Sequence, residues 1–197
     1  MTGLDSITLL KSEIGGKKLL LLGPGRSLNT QRETIQQYAT DHDVQVVAIN
    51  FVPEDFRLNY VFLNNAKRYN MFFDHFKRMD KQVKIISTSN VSSINGPFDY
   101  RLSYDAYLDK EPVIMDNSLI MFLHLCQEIG VASIALAGFD GFAANSASNY
   151  YDNQIDMHAS GERLSKVNIA VRQQIKAFQK DMSITFLTRS LYEDSAQ

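Results

Sequence analysis

The sequence predicts a doubly wound α/β fold, with a mainly parallel sheet and helices on both faces. Along most of the 197 residues, short apolar segments of strand length alternate with longer amphipathic segments of helix length. The first unit, KKLLLLGPGRSL at residues 17–28, has four leucines that stop at a glycine turn before a helical pattern begins. Such a leucine run is typical of a strand buried on both faces. The predicted unit is therefore strand, glycine turn, helix.

The other elements are predicted from the same two periodicities. Residues 91–115 carry alternating segments and predict a short antiparallel excursion or an irregular insert. Residues 142–158 are polar and aromatic and too long for an ordinary connection, so they predict a lid. In chain order, the sequence predicts a helix after the glycine turn, strands at 44–50 and 60–63, a helix at 66–79, a strand at 83–86, a helix at 118–129 closed by Gly130, a strand at 133–137, a helix at 161–180 and a strand at 183–187.

The length predicts one domain, at residues 17–190, followed by a tail at 191–197. Residues 1–16 end in two glycines and are predicted to be a linker or an N-terminal extension. This arrangement suits one domain of a larger polypeptide.

Composition excludes several classes of protein. The net charge of −2 leaves no basic footprint for nucleic acid. The single cysteine, Cys126, lies in an apolar helical pattern, which excludes a disulfide framework and predicts a buried structural thiol. No signal peptide and no run of roughly 18 apolar residues is present, so we expect a cytoplasmic protein without a membrane span.

Glycines and small polar residues stand where the predicted strands end. The carboxyl ends of parallel strands meet at one edge of a sheet, so we expect these residues to form one pocket for a polar small molecule such as a nucleotide. The glycine turn and the helix after it would receive a phosphate, whereas a tight turn without a ligand is the alternative. The strand-end residues are Gly23-Pro24-Gly25, Asn50, Asn64, Ser87-Thr88 and Gly138-Phe139-Asp140.

Four features together resemble those of the bacterial sialyltransferases that use CMP-sialic acid. They are GPGRSL, the two strand-end asparagines, the helix that opens at Asn117-Ser118, and IALAGFDGF before a tyrosine-bearing loop. These features also resemble the related archaeal 6-hydroxymethylpterin diphosphokinase group, whose glycine turn is similar to this one. The resemblance covers residues 17–187 and implies a Rossmann-like fold, a nucleotide or nucleotide-sugar ligand of the CMP type and no tightly bound cofactor. Pro24 stands where the family has an asparagine, which removes one nucleotide contact. The implied ligand contacts are Gly23, Gly25, Ser27, Asn50, Asn64, Asn117, Ser118, Tyr150 and Tyr151, with His158 as the catalytic base.

Gly138 and Asp140 are also predicted to contact the ligand, because they follow the strand at 133–137. Asp140 would bind a ribose or a metal, or hold the turn through its side chain. Arg26 and Arg189 are candidates for phosphate pairing, with surface exposure as the alternative.

A second resemblance rests on VVAINFVPEDFRLNYVFLNNAKRY, at residues 46–69. This segment is similar to the domain that follows the barrel in bacterial 4-hydroxy-2-oxovalerate aldolase-like proteins. The barrel and its metal-binding histidines are absent from this sequence, so the resemblance implies that aldol cleavage belongs to a partner domain. Three hypotheses follow: a nucleotide-dependent transferase domain, a non-catalytic accessory or regulatory module of an aldolase-like enzyme, and a scaffold for homo-oligomerisation.

Overall fold

The structure, a computed structural model, describes residues 3–92, 98–143, 149–150 and 161–193. These residues build one seven-stranded sheet in which every strand pairing is parallel. The strands are β1 (Lys18–Leu22), β2 (Val44–Ile49), β3 (Tyr60–Leu63), β4 (Lys84–Thr88), β5 (Tyr100–Leu102), β6 (Ser133–Ala137) and β7 (Ser183–Phe186). Their order across the sheet is β5-β4-β3-β2-β1-β6-β7.

Helices cover both faces of this sheet, which confirms the predicted doubly wound, Rossmann-like α/β fold. The helices are α1 (Gly3–Ile14), α2 (Ser27–Thr30), α3 (Arg32–Asp41), α4 (Ala66–Met71), α5 (Phe73–Arg78), α6 (Ser118–Ile129) and α7 (Gly161–Phe178). Apolar residues of α1, α6 and α7 belong to the core on one face, and those of α2 to α5 pack against the core on the other. Among the helices that the structure describes, none combines the length and the apolar character needed to cross a membrane.

Strand β1 lies in the interior of the sheet and separates the two cores. Leu19 and Leu21 belong to one core, and Leu20 and Leu22 to the other. None of the four is more than 1% exposed. Each buried leucine contributes about 1.5–3 kcal/mol to the free energy of unfolding. The prediction that both faces of the leucine run are buried is therefore confirmed.

The order of the strands across the sheet determines where a ligand-binding site is expected. From β1 the chain moves outward to β5 on one side of the sheet, and it then returns through α6 to β6 on the other side of β1. The topological switch point therefore lies between β1 and β6, and ligands of doubly wound sheets bind beyond the carboxyl ends of the strands at such a point.

Of the two predictions for residues 1–16, a linker does not fit the part that forms α1. Leu10 and Ile14 of this helix are fully buried. Gly15 donates its backbone N–H to Lys11 O at 3.0 Å, and Gly16 has a φ of 71°. The glycine pair therefore closes a packed helix. A sequence pattern does not distinguish such a helix end from a flexible linker, because glycine suits both.

The predicted antiparallel excursion at residues 91–115 is also wrong where β5 forms, because β5 pairs with β4 in parallel. Tyr100 and Leu102 are buried and Arg101 is only half-buried. A strand at the edge of the sheet can show this alternation whichever way it runs, so alternation does not reveal strand direction.

The aromatic stripe of the predicted helix at 66–79 was expected to be core, and this is confirmed. Tyr69 and Phe72 are buried, and Phe73 and Phe76 are half-buried against the same core. The helix is interrupted at Phe72, which separates α4 from α5. Most of the predicted lid at 142–158 lies outside the described residues.

Candidate functional site

A cleft of about 280 Å³ lies beyond the carboxyl ends of the central strands. It is bounded by the glycine turn after β1, the end of β2, the beginning of α6, the turn after β6 and the first turns of α7. Three predicted ligand residues, Gly23, Ser27 and Asn64, are not among its lining residues, and Tyr151 and His158 lie outside the described residues. The predicted residues that line the cleft are Gly25, Asn50, Asn117, Ser118, Gly138, Asp140 and Tyr150.

A hydrogen-bonded cluster of three polar side chains connects two residues of the cleft wall, Asn50 and Ser118, to the buried Asn64 behind them. Asn50 Nδ2 donates to Asn64 Oδ1 at 2.6 Å and to Ser118 Oγ at 2.5 Å. Ser118 Oγ donates in turn to Asn64 Oδ1 at 2.8 Å. Asn50 and Asn64 are 9% and 4% exposed. The cluster therefore joins the ends of β2 and β3 to the first residue of α6, as the strand-end pattern indicated.

The backbone of Asn50 has a φ of 60°, and no other described non-glycine residue has a positive φ. This left-handed conformation is favourable for glycine and costs other residues about 1–2 kcal/mol. Hydrogen bonds hold it: Asn50 N donates to Phe62 O at 2.8 Å, and Asn50 Oδ1 accepts from Asn64 N at 3.1 Å. The strained residue thus lies at the cleft, where strain in folded proteins often has a functional role.

Asn64 extends the cluster toward β4 and α6. Its Nδ2 donates to Asp116 O at 3.0 Å, and its backbone oxygen accepts from Asn90 Nδ2 at 2.9 Å. Asn117 caps α6, because its Oδ1 accepts from the backbone N–H groups of Leu119 and Ile120 at 3.1 and 3.2 Å. Asp116 and Asn117 line the cleft, whereas Asn64 and Asn90 do not.

The two glycine turns at the switch point are packed directly against each other. Gly23 N donates to Ala137 O at 2.8 Å, and Gly25 N donates to Gly138 O at 2.7 Å. A Cβ atom on Gly25 would lie 2.5 Å from Gly138 O, and one on Gly23 would lie 2.6 Å from the same atom. The glycines of the first turn are therefore required by the contact between the two turns.

Asp140 occupies the position where a phosphate was expected. Its carboxylate accepts hydrogen bonds from Ser27 N, at 2.8 Å, and from Ser27 Oγ. The first backbone donor of α2 is thus bound to a protein carboxylate, and α2 has only four residues. Of the alternatives for Asp140, the structure shows the turn-holding contact. The Ser27 donors that a phosphate would use are therefore bound to Asp140 in this structure.

Tyr150 lies between the glycine turn and α4. It forms an isolated antiparallel bridge with Gly25, and its backbone oxygen accepts from Arg26 Nε at 3.4 Å. The Arg68 guanidinium carbon lies 5.8 Å from the centroid of the Tyr150 ring, and the Phe142 ring packs edge-on at 6.1 Å. An aromatic ring beside a cation in a cleft wall suits a contact with a base or a sugar.

No family model matches this chain, and no curated protein matches it. The resemblances to nucleotide-sugar transferases and to the domain of aldolase-like proteins therefore stay predictions. The site is characterised by the geometry of the cleft itself.

The titratable groups of the cleft are few among its described lining residues. They are Arg68, Asp116, Asp140, Arg163 and two tyrosines. Tyr192 is one of these tyrosines, and its burial raises the pKa of its hydroxyl far above the ordinary value. Histidine and cysteine are absent from this described lining. Nor does the described part of the chain contain a group of three or more acidic, histidine or cysteine residues able to hold a metal ion.

Among the cleft residues that sequence reasoning missed are Arg68, Asn149, Arg163 and Tyr192. Arg68 and Arg163 lie in the first turns of α4 and α7, and both elements had been predicted. The first turns of these helices face the carboxyl edge of the sheet. The predicted start of each helix could therefore have identified both arginines as candidate cleft residues. Asn149 and Tyr192 had no such signal, because Asn149 lies between β6 and α7 and Tyr192 lies after β7, in the predicted tail. Only the folded chain brings them to the cleft.

Proposed function

We propose that this cleft binds a nucleotide or a nucleotide-activated sugar, with a CMP-type ligand as the first candidate. The observation that carries the proposal is the buried Asn50–Asn64–Ser118 cluster, whose first member has a left-handed backbone at the cleft wall. Asn50 and Ser118 line the cleft, and the oxygens Asn50 Oδ1 and Ser118 Oγ each keep a lone pair beside their bonds within the cluster. These acceptors suit an amino group of a base or the hydroxyls of a sugar.

The remaining walls support the same kind of ligand. Apolar and aromatic side chains provide surfaces for the faces of a base or a sugar ring, and the volume of about 280 Å³ is near the lower end of ligand-binding pockets. The side chains concerned are Ile114, Phe139, Phe142, Tyr150, Val167 and Tyr192.

Binding is the part of this proposal that the described residues support. Group transfer would require a proton acceptor near an acceptor hydroxyl. The resemblance to the sialyltransferases implies His158 for that role, and His158 lies outside the described residues. The second candidate is therefore a binding module without chemistry of its own, attached to an aldolase-like barrel. Such a module needs the polar lining of the cleft but no proton acceptor.

A thermal-shift screen of the purified chain tests the proposal. The ligands are the nucleoside mono- and diphosphates, CMP- and UDP-sugars, and pterins. At about 100 times its dissociation constant, a specific ligand stabilises the folded state by about 2.7 kcal/mol, which raises the Tm by several degrees.

Two cleft variants and one matched control decide where the ligand binds. Ser118→Ala and Asn50→Gly remove polar groups from the cleft wall and should reduce the shift. Ser133→Ala changes a half-buried serine at the beginning of β6, at the opposite edge of the sheet, and should leave the shift unchanged. No shift with any of these ligands, or equal shifts in all variants, would contradict nucleotide binding in this cleft. Where a nucleotide-sugar binds, release of its sugar by the native chain but not by His158→Ala would favour the transferase over the binding module.

A further inference from the structure

Charges of both signs line the cleft: the carboxylates of Asp116 and Asp140 and the guanidinium groups of Arg68 and Arg163. At the glycine turn, Asp140 holds the backbone and hydroxyl donors of Ser27. The carboxylate packs against the turn itself, since a Cβ atom on Gly25 would lie 2.6 Å from Asp140 Cγ. An anion placed beside the glycine turn would meet the negative charge of Asp140 at close range, which is unfavourable.

The positive charge of the cleft comes from two arginines. Arg68, which is half-buried, and Arg163, which is exposed, both line it. They come from two different elements, α4 and α7, that follow β3 and β6 in the chain. Arginine binds phosphate through two parallel hydrogen bonds, and a pair of arginines from separate elements can hold a phosphate from two sides.

A third residue of the lining points to a ligand independently of charge. Asn149 is 4% exposed, and its Oδ1 accepts from Ala143 N at 2.6 Å. Among the described residues, its Nδ2 has no hydrogen-bond partner. A buried amide donor without a partner costs about 1–3 kcal/mol, so such groups in folded proteins are normally satisfied. An acceptor oxygen of a ligand in the cleft would satisfy this one.

We propose that Arg68, Arg163 and Asn149 form the phosphate subsite of the cleft, in place of the glycine turn. The two guanidinium groups bind the phosphate oxygens, and Asn149 Nδ2 donates to an oxygen of the same group or of the adjoining sugar. The assignment of the bound phosphate to a nucleotide rests on the proposed function. The base and sugar then lie toward Asn50 and Ser118, at the other wall of the cleft.

Isothermal titration of the whole chain tests the subsite with the four nucleoside 5′-monophosphates, the corresponding nucleosides and inorganic pyrophosphate. In Arg68→Gln and in Arg163→Gln, the Kd of the nucleotide should rise at least about fivefold, and that of the nucleoside should not change. Arg68→Lys should bind the nucleotide more tightly than Arg68→Gln, because it keeps the charge. Arg189→Gln is the matched control, since Arg189 is exposed after β7 and does not line the cleft.

Asn149→Asp supplies a second kind of change. It keeps an acceptor for Ala143 N and replaces the amide donor by an oxygen, so it should weaken binding of the nucleotide at least about fivefold and affect the nucleoside less. Denaturant midpoints of every variant show whether it is folded at the titration temperature.

The outcomes separate this subsite from the proposed function. If the nucleotide binds and its Kd changes less than about fivefold in either glutamine variant, the subsite is wrong and nucleotide binding stands. If no nucleotide binds but pyrophosphate does, and both glutamine variants lose it, the subsite stands and the proposed function fails. If neither nucleotide nor pyrophosphate binds, both are wrong. Equal losses of nucleotide and nucleoside affinity would also overturn the subsite.

Discussion

Asn50 illustrates how one residue meets two requirements at the cleft. Its backbone needs the left-handed conformation that glycine adopts most easily, and its side chain provides bonds to Asn64 and Ser118 that glycine cannot form. Asparagine tolerates this conformation better than most residues because its short side chain can bond locally. The sequence placed Asn50 at a strand end, but it did not reveal its φ of 60°.

Two substitutions at Asn50 separate the backbone from the side chain. Both Asn50→Ala and Asn50→Gly lose the same side-chain hydrogen bonds, but only alanine carries the cost of a left-handed Cβ. We therefore expect Asn50→Gly to be more stable than Asn50→Ala by about 1 kcal/mol in urea unfolding. Equal stabilities, or a more stable alanine variant, would show that the backbone at this position is not strained.

The contact of Asp140 with Ser27 shows why the glycine-turn motif alone did not predict which group binds the beginning of α2. The pattern of two glycines before a helix predicted a phosphate contact, yet the carboxylate that binds Ser27 is 113 residues away in the chain. A local pattern identifies an unsatisfied helix end but not the distant group that satisfies it. The resulting contact is structural, and it is the reason why the phosphate subsite is proposed at Arg68 and Arg163.

At the scale of the elements, α1 is part of the domain. It contacts β5 and α6, and Leu10 and Ile14 are fully buried in the core that α6 and α7 share. The apolar spacing of GLDSITLLKSEI was visible in the sequence, but the glycine pair after it favoured a linker. Whether an amphipathic helix packs on its own domain depends on an available sheet face, which the local pattern does not specify.

Substitutions in α1 test this packing. Leu10→Ala should lower the free energy of unfolding by about 2–5 kcal/mol, because it leaves a cavity in the core. Leu4→Ala is the control in the same helix: Leu4 is 77% exposed and should cost less than about 0.5 kcal/mol. Urea midpoints of the two variants are the measurement. If Leu10→Ala unfolds like the native chain, α1 does not pack as the structure shows.

At the scale of the whole molecule, the edge of the sheet opposite the cleft is held by a polar cluster from four elements. Glu13 of α1 accepts from Tyr60 OH at 2.9 Å and from Lys84 Nζ at 2.8 Å with both oxygens. Lys84 Nζ also donates to Tyr100 OH at 3.1 Å. The cluster joins α1 to the beginnings of β3, β4 and β5. Burial and the bond to Glu13 raise the pKa of Tyr100 to about 12.

This cluster predicts a loss of stability in acid. Burial alone raises the pKa of Glu13, but the hydrogen bonds from Lys84, Tyr100 and Tyr60 outweigh it and lower the pKa below the ordinary 4.5. A carboxyl whose pKa is lower in the folded state stabilises the fold above the unfolded-state pKa, and the effect is lost as the pH falls through the folded-state value. At about pH 7, Glu13→Gln should therefore be less stable than the native chain by about 1 kcal/mol.

The difference in the free energy of unfolding between the native chain and Glu13→Gln should disappear as the pH falls below 4.5, because protonated glutamic acid and glutamine are then both uncharged. Urea unfolding at about pH 7 and about pH 3 measures it. Glu33→Gln, an exposed position in α3, is the control and should show little difference at either pH. A destabilisation by Glu13→Gln that is the same at both pH values would contradict the charged interaction.

The sequence by itself determined the fold class, the positions of most strands and helices, and the gathering of Gly25, Asn50 and Asp140 at one cleft. These follow from local periodicity and from the rule that parallel strands end at one edge, both of which are written in short segments. The tertiary structure alone decided that Asp140 binds the first backbone donor of α2 and that Arg68 and Arg163 line the cleft. It also decided that α1 belongs to the core. Each of these depends on contacts between residues far apart in the chain, and such contacts leave no local pattern to detect.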